Sequence, residues 1–221
     1  MKKLFRRVAW VAAPREPVSS LSHLFAAALA VYGTALLLSY AGNREVHRAA
    51  SLIYGLSLIF LFLASSVLHG VKCSERSATL LEKLDHIGIY LVIAGTYTPI
   101  CLLLIKGSLG VSMLSLQWSA ALIGIAMTLS RALCSKRTTA ILFLLMGWSV
   151  LLIFPTLLRL LSAEGTVWFF AGAGLYSVGA LVFVYDWPHL KPGYVSAHDL
   201  WHLMVVMATS CHYMLVRNVM A

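Results

Sequence analysis

The sequence predicts an all-α membrane protein: a seven-transmembrane helix bundle with its N-terminus cytoplasmic and its C-terminus outside. Three observations predict it. The chain of 221 residues is 60% hydrophobic and only 11% charged, with a mean hydropathy of +0.86. A soluble domain carries about 25% charged residues, so this chain cannot cover itself for water and lipid is its natural solvent. Seven stretches reach the roughly 20 apolar residues needed to cross the hydrocarbon core. Finally, the basic residues are distributed unevenly between the gaps that separate those stretches.

The first stretch runs from about Val18 to Tyr40, the second from Ala49 to His69 and the third from His86 to Ile105. The fourth runs from Val111 to Ser130, the fifth from Thr138 to Leu158, the sixth from Thr166 to Tyr185 and the seventh from His198 to Val216. Barrel strands would be about ten residues long and alternate in polarity; these runs do neither. Residues 18–221 therefore read as one transmembrane domain, and residues 1–17 as a basic cytoplasmic tail carrying Lys2, Lys3, Arg6, Arg7 and Arg15. The apolar run Val8 to Ala13 is too short for a signal-peptide core, so the tail is expected to be retained, lying on the headgroups. The longest gaps, His69 to Asp85 and Tyr185 to His198, read as cytoplasmic loops. Pro155 is expected to kink the fifth helix near its outer end. Gly172, Ala173 and Gly174 are expected to admit a close neighbour on the sixth.

With the N-terminus inside, the inner segments hold Lys2, Lys3, Arg6, Arg7, Arg15, Lys72, Arg76, Lys83, Arg131, Lys136, Arg137 and Lys191, 12 basic residues. The outer segments hold Arg44, Arg48, Lys106, Arg159 and Arg217, which is 5. This bias sets the orientation. The net charge of +9 thus serves topology and contact with anionic membrane lipids. Aromatic residues are not interleaved with the basic ones, so nucleic acid is not an expected partner. Cys73, Cys101, Cys134 and Cys211 form no CxxC pair and read as free thiols. There is no phosphate-binding glycine loop, no GxSxG elbow and no selectivity-filter run. Charges deep in the helices are nearly absent, which argues against an ion-coupled transporter.

Ionisable groups inside a bundle are costly and tend to mark function. His69 ends the second helix, Asp85 and His86 open the third, and His198 and His202 open the seventh, so chain direction alone brings them to one membrane depth. His198 and His202 are four residues apart and share a helix face. Two imidazoles so placed can grip one metal, and His69 can supply a third ligand. Three imidazoles and a water make an open, catalytic-type zinc site. Asp85 can hold that water or orient a ligand. Ser65, one turn before His69, can hydrogen-bond the water or a substrate oxygen. The spacing leaves other readings open. HxxxH pairs commonly bind nothing, interfacial histidines bond carbonyls or snorkel, and Asp85 can be simply the N-cap of the third helix. His23 and His86 are rival ligands, with Ser19 and His23 repeating the spacing of Ser65 and His69. His212 lies about 15 Å deeper and reads as a packed interior histidine; His47 and His189 read as loop residues.

At these residues the chain resembles a known family. Ser65-Ser-Val-Leu-His69, Leu84-Asp-His-Ile-Gly-Ile-Tyr90, Ala94-Gly-Thr-Tyr-Thr-Pro99 and His198-Asp-Leu-Trp-His202 are similar, in order, to the motifs of the hemolysin III family. That family is the bacterial branch of the progestin and adipoQ receptor superfamily. Met146-Gly-Trp148 and Cys211-His-Tyr213 add to the likeness, which covers essentially the whole chain. The resemblance implies seven helices with the N-terminus inside, a bacterial inner (cytoplasmic) membrane location, and zinc on His69, His198 and His202 with Asp85 and Ser65 nearby. In eukaryotic relatives such a site is associated with hydrolysis of ceramide-like lipid amides. Many relatives have Glu where this chain has Asp199, a change expected to matter little because residue 199 should point away from the metal pair. The chain also lacks the large N-terminal extension of the animal receptors, which sets a hormone-receptor role apart.

The expected function is therefore a zinc-dependent hydrolase of a lipid amide or ester, ceramidase-like, at the cytoplasmic face. Two alternatives stand beside it: a non-catalytic membrane-homeostasis or sensor protein with structural zinc, and a cytolysin, as the family name suggests.

Overall fold

The computed structural model describes residues 14–130, 135–190 and 195–220. Lys2, Lys3, Arg6, Arg7, Arg131, Cys134 and Lys191, all used above, lie outside them. Seven helices are long and apolar enough to cross a membrane, and no strand occurs among the described residues. They are α1 (Pro17–Ala41), α2 (Glu45–Gly70), α3 (Glu75–Ile105), α4 (Gly107–Leu129), α5 (Lys136–Leu160), α6 (Ala163–Tyr185) and α7 (Ala197–Met220). Pro17 sits in the first turn of α1, where its missing N–H costs nothing. Serines open several of the others. The Oγ of Ser74, Ser135, Ser162 and Ser196 accepts from the backbone N–H three residues on, at 3.0–3.3 Å.

Two expectations are corrected here. The third helix begins at Glu75 rather than His86, with Ser74 as its cap, so Asp85 is not an N-cap and lies well inside the helix. The reason is physical: Glu75, Arg76 and Glu82 are exposed, so this part is a polar extension that an apolar-run criterion cannot register. Likewise His47 belongs to the first turn of α2 rather than to a loop. In α5 the irregularity precedes Pro155. The α-helix Lys136–Trp148 gives way to a 3₁₀ stretch, Ser149–Ile153, and Pro155 opens a fresh α segment, Phe154–Leu160. Proline can donate nothing to the preceding turn and crowds it, so that turn tightens and the helix restarts. Its stranded carbonyls are satisfied from neighbours: Tyr97 Oη donates to Gly147 O at 2.7 Å, and Gln117 Nε2 to Met146 O at 3.2 Å.

Sequence neighbours pack against one another, α1 also meets α7 and closes the ring, and α3 touches α2, α4, α5 and α7. α3 is accordingly the most buried helix. A Cβ at Gly88 would lie 2.8 Å from Leu61 Cα, so this glycine permits the close crossing of α2 and α3. On α6, Gly172 accommodates His212 of α7 as expected, whereas Gly174 faces open space. Cys73, Cys101 and Cys211 are free thiols.

One end of the bundle gathers the N-termini of α1, α3, α5 and α7 with the C-termini of α2, α4 and α6. There, Glu16 N–H donates to His69 O at 2.9 Å, Lys83 Nζ donates to Leu129 O at 2.7 Å, and Lys136 Nζ stands 5.4 Å from the Phe183 ring centre. The opposite end is tied by Arg44 to Met220 O at 3.3 Å and Ser162 to Asn218 at 2.8 Å.

Candidate metal centre

His69, from the last turn of α2, meets His198 and His202, from the first turns of α7. One ring nitrogen of each lies within 4.8 Å of the others. Ring centres are 4.5 Å apart for His69 and His202, 4.6 Å for His198 and His202, and 5.2 Å for His69 and His198. The Nε2 atoms of His198 and His202 face each other at 3.0 Å. His69 Nε2 is buried and has no hydrogen-bond partner among the described residues. Buried polar atoms are nearly always partnered, so converging ring nitrogens with one of them orphaned ask for a shared proton or a cation. Three imidazole donors suit zinc, and the residues present fit it.

The sequence reading brought these three histidines together correctly and missed what stands behind them. His69 Nδ1 lies 2.5 Å from Glu16 Oε2, and Glu16 Oε1 pairs with Arg15 at 2.9 Å. Partial burial raises the Glu16 carboxyl, but its hydrogen bond and charge interaction with His69, helped by Arg15, outweigh that and hold it below the usual carboxylate range. Glu16 is the only carboxylate before Glu45 and stands next to the start of a helix at the depth of His69. That position was the signal available in the sequence.

The rival ligands fall elsewhere. His23 Nε2 lies 3.1 Å from His202 Nδ1, on the side of that ring away from His198. It is a neighbour of the cluster and not a member. His86 packs edge-on toward Phe143 with ring centres 6.4 Å apart. His212 is packed against Tyr176 deeper in α7, with ring centres 5.4 Å apart, and His189 is an exposed loop residue. Ser65 is fully buried and its Oγ has no partner among the described residues. Asp85 lies within electrostatic reach of both Ser65 and His69. Asp199 does point away from the rings, but it is far from idle. Its Oδ1 accepts from Ser19 Oγ of α1 at 2.6 Å, and its Oδ2 accepts from Ser196 N at 2.9 Å and Ser196 Oγ at 2.7 Å.

A second feature reaches the same end. An apolar pocket of about 130 Å³ lies between α3, α5, α6 and α7. Ile93, Phe143, Ala173 and Val205 line it, and it extends from Phe183 and Trp201 down to His212. The Phe183 ring is 6.3 Å from that of His198 and 5.3 Å from that of Trp201, so the head of the pocket adjoins the histidine cluster.

Comparison with known proteins agrees with this architecture. A family model described as "Haemolysin-III related" matches residues 11–213. The chain is 32% identical over 193 residues to Hemolysin-3 of Bacillus cereus, covering 86% of this chain and 85% of that protein. It is 33% identical over 164 residues to the Hemolysin-3 homolog of Bacillus subtilis, covering 74% of each. It is also 27% identical over 197 residues to the human monocyte to macrophage differentiation factor, covering 87% of this chain and 79% of that protein. Together with the seven apolar helices, these matches make the chain a multi-pass integral membrane protein.

Proposed function

We propose that this chain, which belongs to the haemolysin III-related family, holds zinc on His69, His198 and His202 and hydrolyses an amide or ester bond of a membrane lipid at the cytoplasmic face. The observation that carries the proposal is the meeting of two features: converging imidazole nitrogens and the head of an apolar pocket between helices. An amphiphile fits such a pair, with its carbonyl at the polar end and its chain among α3, α5, α6 and α7. The cytoplasmic assignment rests on the sequence, which carries 12 basic residues in the inner segments against 5 in the outer ones.

When bound, zinc supplies Lewis acidity to a carbonyl and to water. The chain supplies the rest. Asp85, beside Ser65 and His69, accepts the proton that the attacking water gives up and passes it to the leaving nitrogen or oxygen. The partnerless Ser65 hydroxyl donates to the substrate oxygen. The pocket walls hold the acyl chain and exclude water from the bond under attack. His23 is the residue that as a fourth nitrogen ligand would have closed the set. Its place behind His202 favours an open, catalytic set of three over a closed structural one.

The test is elemental mass spectrometry of protein purified in mild detergent, beside a His198→Ala/His202→Ala double variant. Near-stoichiometric zinc in the wild type, lost in the variant, is the expected result. A screen of lipid amides and esters follows, with Asp85→Ala as control; turnover should vanish while zinc stays. Folded wild type that takes up no zinc when it is offered sinks the metal reading. Zinc without turnover of any lipid leaves a structural metal.

A further inference from the structure

Resting on that metal site, we infer that the N-cap and first two turns of α1 orient it: Glu16 and His23 are positioning residues that hold His69 and His202 by their Nδ1 atoms and keep the Nε2 atoms turned inward. Glu16, the N-cap of α1, and Ser19, Ser20 and His23 within it follow the spacing i, i+3, i+4, i+7 and so form one stripe at the start of the helix. Each of the four touches a helix that bears a ligand. Glu16 reaches His69 on α2, Ser19 reaches Asp199 on α7, Ser20 Oγ donates to Ser66 O on α2 at 3.0 Å, and His23 reaches His202 on α7. The backbone registers the stripe as well. Glu16 N–H and Arg15 N–H donate to the carbonyls of His69 and Gly70, at 2.9 and 3.4 Å. These carbonyls belong to the last turn of α2 and have no donor of their own within the helix.

The chemistry follows from donor and acceptor capacity. An ionised carboxylate only accepts. Glu16 Oε2, 2.5 Å from His69 Nδ1, accepts the proton held there, and this contact turns Nε2, the buried atom without a partner among the described residues, toward the other two rings. For His202, a metal on Nε2 requires Nδ1–H, and the nearest acceptor offered to it is His23 Nε2 at 3.1 Å. The contact of His23 Nε2 with the His202 carbonyl is longer, 3.4 Å. A partner that orients a metal-binding histidine is typically worth 10–100-fold in metal affinity.

Ser20 separates this role from mere bracing, because its bond ties α1 to α2 without touching a ring. Zinc affinity would be measured by chelator competition on the full-length protein in detergent, with elution profile and unfolding temperature recorded for each variant. Glu16→Ala and His23→Leu should weaken zinc binding about 10–100-fold. His23→Gln, which returns an acceptor near the lost Nε2, should recover most of the loss, and Ser20→Ala should bind as wild type does. Side-chain nitrogen NMR of metal-free wild type should show His69 with its proton on Nδ1. Wild-type affinity in folded Glu16→Ala and His23→Leu overturns the inference. So does an equal loss in Ser20→Ala, or a His69 proton on Nε2, and that last readout holds even if a variant fails to fold. Wild type that binds no zinc but has His69 protonated on Nδ1 defeats the metal proposal and leaves the orienting role of Glu16 standing.

Discussion

Two of the polar regions buried in this bundle solve the cost of burial differently. In the middle, around the break in α5, Tyr97 and Gln117 reach from α3 and α4 to the stranded carbonyls of Met146 and Gly147 and to Ser149. Among the described residues, Gln117 Oε1 is left over in this network. At the end where α1, α2 and α7 meet, hydrogen bonds run outward from the rings to Glu16 and His23, while ring nitrogens converge on one another. The first region spends its polar atoms on repairing backbone. The second keeps lone pairs in reserve. A buried polar cluster whose bonds close on the backbone is structure; one whose ring nitrogens face one another is a candidate site.

The sharpest way to break that distinction runs through α3, which carries Asp85 to the histidine end and Tyr97 to the network. Gly88 lies between them, pressed against Leu61 Cα. Gly88→Ala must push α3 off α2, since the atom it meets is backbone. Overpacking of this kind costs about 2–3 kcal/mol. Because the ligands stand on α2 and α7, zinc should remain while lipid hydrolysis falls with the displacement of Asp85 from Ser65. Thermal unfolding in detergent, zinc content and turnover measured on one preparation check this; loss of zinc in a folded variant would mean that α3 shapes the ligand set after all.

The middle network makes the converse prediction. Gln117→Leu removes a donor to Met146 O and Ser149 without touching the histidine end. It should lower stability by about 1–2 kcal/mol, the scale of a buried polar group losing its partner, and leave zinc affinity at the wild-type value. A parallel drop in zinc affinity would show that the two regions are coupled through α3.

How much of this was legible follows from the same contrast. The seven spans could be read because hydrocarbon thickness dictates their length, and the exception, the start of α3, is the stretch that stands in water. His69, His198 and His202 could be placed together because chain direction fixes depth. Rotation could not be read. α1 is apolar around most of its circumference, with Leu21, Leu24 and Phe25 exposed beside a buried His23. No periodicity therefore announces which face looks inward, and His23 could not be told from a ligand. Glu16 and Asp199 find their partners across 53 and 180 residues of sequence, beyond the reach of any local motif.

Asp199 gives the smallest expected effect and the finest test. Read in the sequence, it is a shortened glutamate facing away from the metal; in the structure its two oxygens join α7's first turn to Ser196 and to Ser19 of α1. Asp199→Asn preserves shape and one acceptor but loses the charge-assisted bonds, so capping should weaken by about 0.5–1 kcal/mol. The start of α7 carries both His198 and His202, so loosening it should cost zinc affinity a few-fold and no more. Asp199→Glu, which keeps the charge but lengthens the arm, should bind zinc as tightly as wild type only if α1 yields to the longer side chain. A Glu variant that binds normally while Asn does not would assign the effect to charge. Equal weakening in both would assign it to the 2.6 Å fit between Asp199 and Ser19, and with it to the seating of α1 that also delivers Glu16 and His23.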